Sequence, residues 1–211
     1  RNIGDDLRGH KLHDGMAISG DLPTQPIPFT ENGLHFAADV VHGHKTGFFF
    51  DQRENRARVR GLSAGQRVLD VFAYSGGFSV YAAAGGATSV TSLDISSPAL
   101  DAAQANMQRN HADPNVAACT HHTRVADAFD GLADLHISQR ETFDLIIVDP
   151  PSFAKSADEI DRALAAYARL TPLALNVLAP GGVLVSASCS SRVTADAFFN
   201  VVHRAAAAHG R

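Results

Sequence analysis

Asp149 is well placed for chemistry, because it stands directly after a short apolar run. Residues 143–148 predict a buried strand, and Asp149 closes it with a carboxylate. In an open α/β sheet, ligands bind in the crevice outside the carboxyl ends of the strands. Pro150 and Pro151 stop the strand and stiffen the loop, and Phe153 adds a planar face on which a nucleic-acid base could stack. The pattern predicts a rigid acidic edge at a binding crevice, although an ordinary strand exit can have the same residues.

A second strand and a glycine turn lie earlier in the chain. Residues 67–72 predict a strand that contains Asp70, and Gly76 and Gly77 lead from it into a helix predicted over residues 76–84. Glycine lets the backbone approach a ligand closely, and a helix N-terminus favours an anion. A glycine pair after a strand is not a specific signal by itself, and it indicates a ligand site only together with the acid that ends the next strand.

The next predicted strand, residues 89–94, also ends in a carboxylate, Asp94. Its distance from Asp70 along the chain is close to the spacing at which nucleotide-binding sheets present an acid to a ribose. We therefore expect Asp94 to bind ribose hydroxyls. The G-x-G-x-x-G fingerprint of dinucleotide-binding enzymes is absent, so a dinucleotide oxidoreductase is only a distant alternative.

Cys189 follows a further predicted strand, residues 182–188, so its thiol and Asp149 can open onto the same crevice. A cysteine in this position is more often a buried structural residue, and a nucleophile is the alternative. Cys119 lies within the strand predicted over residues 116–123 and is interpreted as structural.

Composition limits the class of protein. The 211 residues are 45% hydrophobic and 19% charged, enough for one well-buried domain with a small appendage. No apolar run approaches the roughly 20 residues that span a bilayer, no leader pattern opens the chain, and two cysteines do not form a disulfide framework. We therefore expect a cytoplasmic protein without a membrane segment.

Charge and histidine content bear on possible ligands. The net charge of −4 argues against broad, non-specific nucleic-acid binding, but not against a specific RNA. Five arginines between residues 53 and 67 either contact phosphate or solvate a helix face. The 11 histidines show no ligand spacing with a cysteine, so no metal site is expected.

Apolar strands alternate with helical patterns, which predicts an α/β fold. The predicted strands of the main sheet are residues 67–72, 89–94, 116–123, 143–149 and 182–188. The predicted helices are residues 76–84, 97–110, 127–137, 156–178 and 194–208.

The first 60 residues are expected to form an entry segment and a β-hairpin, and residues 61–211 the main domain. Residues 1 to about 30 read as a linker. The hairpin is predicted from strands at residues 34–41 and 46–50, and a short helix from residue 54 to about 60.

Four ordered motifs resemble a known family. They are Lys45 to Arg56, Phe72 to Phe78, Asp149 to Phe153 and Ser188-Cys189-Ser190. Together they resemble the class I S-adenosylmethionine-dependent 23S ribosomal RNA methyltransferases, and within these the RlmI-like cytosine-5 group. The resemblance covers nearly all of residues 20–211. It implies a Rossmann-like sheet with helices on both faces, S-adenosylmethionine as cofactor and 23S rRNA as partner.

Members of that family carry an N-terminal PUA-type RNA-binding domain and end in a further pair of strands. The resemblance therefore implies that the chain is a fragment, with a linker from a missing PUA domain and a C-terminally truncated methyltransferase domain. The activity of such a piece alone, and its oligomeric state, stay open.

The resemblance also implies roles for individual residues. The expected cofactor-binding residues are Gln52, Arg53, Asp70, Phe72, Tyr74, Gly76, Gly77, Asp94, Asp127 and Asp149. The expected substrate-binding residues are Pro150, Pro151, Phe153 and Lys155. Asp127 would face the adenine amine, although it could equally be a helix N-cap, and Arg53 could be a surface ion pair.

The catalytic residues implied by the resemblance are Cys189 and Asp149. A thiolate that adds to carbon 6 of cytosine activates carbon 5 for methylation, and Asp149 would stabilise the ring at N3. Two alternatives stay open. The protein could methylate a guanine or an exocyclic amine without a cysteine, or it could be a cofactor-binding module without activity of its own.

Overall fold

The computed structural model describes residues 19–43, 45–154 and 156–210, and in it the chain forms two compact units. The first unit ends at Glu54 and the second begins at Asn55. In the part of the chain that is described, no helix is long and apolar enough to cross a membrane.

The first unit contains an antiparallel hairpin of β1 (Ile27–Glu31) and β2 (Leu34–Ala38). The predicted hairpin exists, and β2 occupies residues 34–38 of the strand predicted over residues 34–41, but the strand predicted over residues 46–50 was wrong because the partner strand is β1. The turn is Asn32-Gly33, with φ of 49° and 81°. Both residues are left-handed, which is the geometry that makes Asn-Gly a strong hairpin signal. The sequence analysis overlooked that dipeptide and treated residues 27–30 as linker.

Four aromatic rings pack together in this unit, with neighbouring centroids 4.9 to 5.6 Å apart: Phe29, Phe36, Phe48 and Phe50. A two-stranded hairpin alone is marginally stable in water. The aromatic cluster supplies the apolar contact that the hairpin lacks.

The second unit is built on a five-stranded parallel sheet, as the alternating pattern predicted. Its strands are β3 (Arg67–Val71), β4 (Ser89–Asp94), β5 (Thr120–Val125), β6 (Phe143–Val148) and β7 (Leu178–Ser186). Their spatial order is β5-β4-β3-β6-β7. The predicted α/β fold class is confirmed.

Helices connect the strands. They are α1 (Arg53–Leu62), which starts at the end of the first unit, then α2 (Gly77–Ala84), α3 (Ser97–Arg109), α4 (Pro114–Ala118), α5 (Ala128–Asp134), α6 (Ile160–Asn176) and α7 (Ala195–Ala208). The strand predicted over residues 116–123 was partly wrong, because α4 occupies its first half. Asp113 caps α4 and Pro114 starts it, a helix signal that the apolar pattern hid.

The strand order determines where a ligand can bind. From β3 the chain moves outward through β4 to β5, then returns to the other side of β3 as β6. The direction therefore reverses between β3 and β6, and such a switch point opens a crevice at the carboxyl ends of the two strands. The strands beneath it are buried on both faces, for example at Leu69 and Ile146 on one face and at Val68 and Leu145 on the other. This core holds the loops at the crevice in place.

Candidate active site

Three carboxylates lie around the carboxyl edge of the sheet. Asp70 lies within β3, Asp94 ends β4 and Asp149 follows β6. They are close enough to interact, since the charges of Asp149 and Asp94 both contribute to raising the pKa of Asp70. The sequence predicted Asp94 and Asp149 at strand ends and Asp70 within a strand, and the structure brings the three together at one edge.

Asp70 is the most perturbed of the three. It is 1% exposed, and burial is the main cause that raises its pKa from 3.8 to about 7, against the hydrogen bond from Ser79. Ser79 Oγ donates to Asp70 Oδ2 at 2.6 Å, whereas Oδ1 is buried and has no hydrogen-bond partner among the described residues. A buried acceptor without a donor is costly, and such groups occur at functional sites. Asp70 therefore fits a ligand that carries positive charge.

A chain of hydrogen bonds connects Asp70 to three further polar side chains. Ser79 Oγ lies 2.7 Å from Ser92 Oγ, which lies 2.8 Å from His121 Nε2. Burial lowers the pKa of His121 to about 4, with a smaller contribution from His122, so the ring is neutral at pH 7. When Asp70 is ionised, Ser79 donates to it, Ser92 donates to Ser79, and His121 Nε2–H donates to Ser92. The sequence analysis missed this network, because its members come from four separate elements.

The loop between β3 and α2 has an unusual backbone. Phe72 and Tyr74 have φ of 66° and 49°, and Gly76 has φ of 74°. Left-handed conformations are unfavourable for side chains such as these and are concentrated at ligand sites. Gly77 begins α2 directly after this loop.

Contacts on both sides hold the loop in this conformation. The backbone N–H of Phe72 and of Ala73 donate to the Leu93 carbonyl at 2.9 and 3.1 Å. On the other side, buried Asn106 donates to the Ser75 carbonyl at 2.9 Å. A Cβ on Gly76 would lie 2.7 Å from the Ala103 Cβ, so only glycine fits there. Asn106 and Ala103 were not singled out from the sequence; their spacing of three on α3 places both on one face.

Asp94 is held in a fixed orientation. Its Oδ2 accepts the Tyr74 N–H and its Oδ1 accepts the Ser96 N–H, both at 2.9 Å. Each oxygen keeps a second lone pair, so the carboxylate can still accept from the hydroxyls of a ribose. Ile95 beside it is 71% exposed, and Val125 at the end of β5 is 57% exposed. Two exposed apolar side chains beside such an acid suit the flat faces of a purine.

Asp127 lies at the same edge, and it is an N-cap. Its Oδ1 accepts the Phe129 N–H at 2.9 Å at the start of α5. The side chain is exposed. The cap uses one carboxylate oxygen, so contact of the other with an adenine amine stays a prediction.

The loop after β6 and the loop after β7 meet. Cys189 lies three residues beyond the last residue of β7, and its thiol donates to the Pro150 carbonyl at 3.5 Å. The Ala187 N–H also donates to the Val148 carbonyl at 2.9 Å. Cys189 is exposed, unlike the buried structural cysteine that its position in the sequence alone favours. The structure therefore brings Cys189 and the residues after Asp149 to one crevice.

The remaining predicted substrate residues differ in exposure. Pro150 is buried and Pro151 is exposed. Phe153 is half-buried, and its ring lies 5.1 Å from that of Tyr167 and 6.5 Å from that of Phe72. Stacking of a base on Phe153 stays a prediction. Lys155 lies outside the described residues.

Gln52 and Arg53 belong to the first unit. Gln52 lies in a single 3₁₀ turn, Phe50–Gln52, and Arg53 Nε donates to Glu54 Oε1 at 3.1 Å. Arg53 thus forms the surface ion pair that the sequence left open. Contact of either residue with a cofactor stays a prediction.

Two of the clustered arginines are used within the second unit. Arg56 is 2% exposed and lies over the Tyr81 ring, and Arg67 forms a bidentate ion pair with Asp144. These side chains support the fold, so the arginine segment is not simply a phosphate-contacting surface. No group of three potential metal ligands occurs among the described residues.

Comparison with known proteins adds to this geometry. A family model described as S-adenosylmethionine-dependent methyltransferase matches residues 14–209. The chain is 49% identical over 211 residues to a ribosomal RNA large subunit methyltransferase of Deinococcus radiodurans, covering 100% of this chain and 50% of that protein. It is 41% identical over 203 residues to ribosomal RNA large subunit methyltransferase I of Serratia proteamaculans, covering 96% and 50%. The chain therefore spans about half the length of these relatives.

A solved structure has the same fold. It is a methyltransferase complexed with SAH, which superimposes with a TM-score of 0.76 at 28% identity and covers 89% of this chain and 48% of that one. The acids, the strained glycine loop and the exposed apolar side chains at the carboxyl edge suit the charged amino-acid part, ribose and purine of such a ligand.

Proposed function

This chain belongs to the S-adenosylmethionine-dependent methyltransferase family, and from that premise we propose that it methylates carbon 5 of a cytosine in 23S rRNA through a covalent bond to Cys189. The cofactor is S-adenosylmethionine, which supplies an activated methyl group on a sulfonium. The rRNA substrate is supported by the names of the two relatives above, which are ribosomal RNA large subunit methyltransferases. We further propose the division into a linker and hairpin, residues 1–60, and a methyltransferase domain, residues 61–211.

The observation that carries the cytosine proposal is the contact between the Cys189 thiol and the Pro150 carbonyl at 3.5 Å. This contact supports the position of the thiol at the crevice that Asp149 borders. Cys189 is exposed, so a base can reach it. Carbon 5 of cytosine is a poor nucleophile, so an enzyme must activate the ring first. A thiol beside a carboxylate is suited to this step.

The reaction follows from these two groups. Asp149 takes the proton of the Cys189 thiol as the sulfur adds to carbon 6, and the protonated Asp149 then donates to N3, where the negative charge develops. Carbon 5 then takes the methyl group and SAH leaves. Loss of the carbon-5 proton to a base expels the thiolate and restores the aromatic ring. The target base must first leave its stack to reach the crevice.

The cofactor roles follow from the same edge of the sheet. We infer that Asp94 binds the ribose hydroxyls, that Asp127 faces the adenine amine, and that Asp70 with the loop through Gly77 surrounds the methionine part. Gln52 and Arg53 are proposed to cover the cofactor.

The test is to incubate the chain with S-adenosylmethionine and unmodified 23S rRNA, digest the RNA and identify the methylated nucleoside by mass. We expect 5-methylcytidine from the parent and from a Cys119→Ala control, and none from Cys189→Ala. Methylated guanosine, or full activity of Cys189→Ala, would refute the cysteine mechanism. Cofactor binding without any methylated product would instead identify a cofactor-binding module that is inactive alone.

RNA that carries 5-fluorocytosine gives a second readout. Fluorine cannot leave carbon 5 as a proton does, so the covalent adduct should accumulate and be visible as a shifted band. Cys189→Ala should form no adduct, whereas Cys119→Ala should form as much as the parent. An adduct on the Cys189→Ala variant would contradict the proposal.

A further inference from the structure

Tyr167 lies at the centre of an aromatic row beneath the two loops. It is on α6, 2% exposed, with ring centroids of Phe153 and Phe198 at 5.1 and 4.9 Å. A buried tyrosine hydroxyl needs a hydrogen-bond partner. Neither the resemblance nor the reaction above uses this residue.

The Tyr167 hydroxyl meets the loop that carries Cys189. It lies 2.8 Å from Ser188 Oγ, and Ser188 Oγ in turn accepts the Ser190 N–H at 3.3 Å. The serine oxygen therefore bonds to the backbone on the far side of Cys189. Because the Tyr167 hydroxyl holds the Ser188 side chain in one rotamer, the backbone on both sides of Cys189 is constrained.

A second tether joins this loop to the loop after Asp149. Ser190 is 6% exposed, and its Oγ donates to the Ala154 carbonyl at 3.1 Å. Ser152 Oγ donates to the same carbonyl at 2.9 Å. One carbonyl thus receives a hydroxyl from each loop, which ties the two loops together next to the thiol.

Charge at the crevice favours the neutral form of this tyrosine. Burial is the main cause that raises the pKa of Tyr167, the Ser188 hydrogen bond opposes it, and the charges of Cys189 and Asp149 raise it further. Tyr167 therefore keeps its proton at neutral pH. The geometric link to the thiol is the hydrogen bond with Ser188, the residue before Cys189 in the chain.

We propose that Tyr167 is a positioning residue, which acts through Ser188 to orient the Cys189 thiol for attack on the base. The inference rests on the proposed function, because it assigns Tyr167 a part in the thiol step. The proposed effect passes through the Ser188 hydroxyl, which the Tyr167 hydroxyl contacts. Its hydroxyl matters for the orientation of the loop, and its ring matters for packing.

The experiment compares Tyr167→Phe with Tyr81→Phe. Both tyrosines are buried, at 2% and 0% exposure, and phenylalanine keeps the ring in each. The first readout is the single-turnover rate of adduct formation on RNA containing 5-fluorocytosine. We expect Tyr167→Phe to slow it by about tenfold, the effect of losing one hydrogen bond, and Tyr81→Phe to leave it unchanged. The affinity for S-adenosylmethionine, measured by calorimetry, should be the same in all three proteins.

A double-mutant cycle tests the route through Ser188. Ser188→Ala should slow adduct formation to a similar extent, and Tyr167→Phe combined with Ser188→Ala should be no slower than either alone. Losses that multiply would contradict a shared path. Ser188 is half-buried on a loop, so this variant keeps the test available if Tyr167→Phe fails to fold.

Amide exchange provides a readout that does not need activity. The Ser190 N–H should exchange about tenfold faster in Tyr167→Phe than in the parent, because its acceptor is no longer held. Faster exchange with an unchanged adduct rate, or a slower adduct rate with unchanged exchange, would overturn the positioning role. If the parent forms no adduct, the proposed function fails, and the exchange data still show whether the tether exists.

Discussion

Replacement of Asp70 by asparagine should stabilise the fold near neutral pH and weaken cofactor binding. Burial raises the pKa of this carboxyl to about 7, and its Oδ1 has no donor. Asparagine has nearly the same shape, carries no charge, and can still accept the hydrogen bond from Ser79. It removes the cost of a buried charge, which at a functional site is expected to improve stability at the expense of function.

The sign and size follow from linkage. The folded state holds the Asp70 proton up to about pH 7, whereas the unfolded chain releases it near the ordinary value of 3.8. Between these values the folded state binds more protons, so the free energy of unfolding falls as pH rises. The gap of roughly three pKa units corresponds to about 4 kcal/mol, fully lost above pH 7. Asp70→Asn should therefore gain up to about 4 kcal/mol over the parent at pH 8.

His121 opposes this dependence over much of the same range. Its pKa falls to about 4 on folding, so it contributes stability above its ordinary pKa of 6.5 that is lost as pH falls towards 4. The two slopes offset each other in the parent, whose stability should vary little between about pH 4 and 6.5. In Asp70→Asn the loss caused by His121 should become visible on acidification.

The assay is urea denaturation of the parent and Asp70→Asn at several pH values between about 4.5 and 8.5. The quantity that decides is the difference in free energy of unfolding between the two proteins. A difference that does not change with pH would refute the buried, protonated Asp70. Calorimetry with S-adenosylmethionine tests the prediction on cofactor binding. The affinity of the parent should rise as pH passes about 7, because ionised Asp70 attracts the cationic cofactor. The asparagine variant should bind more weakly, and its affinity should not depend on pH in this way.

Three further results are expected. Gly76→Ala should lower the free energy of unfolding by about 2 kcal/mol or more and weaken cofactor binding, because the backbone at this position is left-handed and the new Cβ would clash. Gly65 has nearly the same φ but open space around it, so Gly65→Ala should lower the free energy of unfolding by only about 1 kcal/mol. Equal losses in the two variants would contradict the clash. Asp144→Asn should lower stability by about 1 kcal/mol or less at pH 7, with the difference disappearing below about pH 4, because the arginine partner lowers the pKa of this carboxyl. Iodoacetamide at pH 8 should modify Cys189 before Cys119, because burial raises the pKa of the Cys119 thiol to about 11; peptide mass mapping checks the order, and the reverse order would refute it.

The sequence carried much of the fold, because strand and turn signals are local. Apolar runs that end in Asp94 and Asp149 identified two strands and the acids at their carboxyl ends. The hairpin failed for a local reason, since Asn32-Gly33 was present and overlooked. The sequence did not predict α4, because its apolar residues resemble the start of a strand. Only the N-cap at Asp113 distinguishes this segment from a strand.

The sequence alone determined most of the strands and helices of the second unit, and the acids, glycines and cysteine near their ends. Tertiary structure decided their chemistry, because burial and pairing depend on residues distant in the chain. The pKa of Asp70 is raised because the fold buries the carboxyl, and the hydrogen bond from Ser79 opposes this shift. No local pattern in the sequence indicates that burial. Cys189 reaches Pro150 because β6 and β7 are neighbours, a register that only the assembled sheet determines.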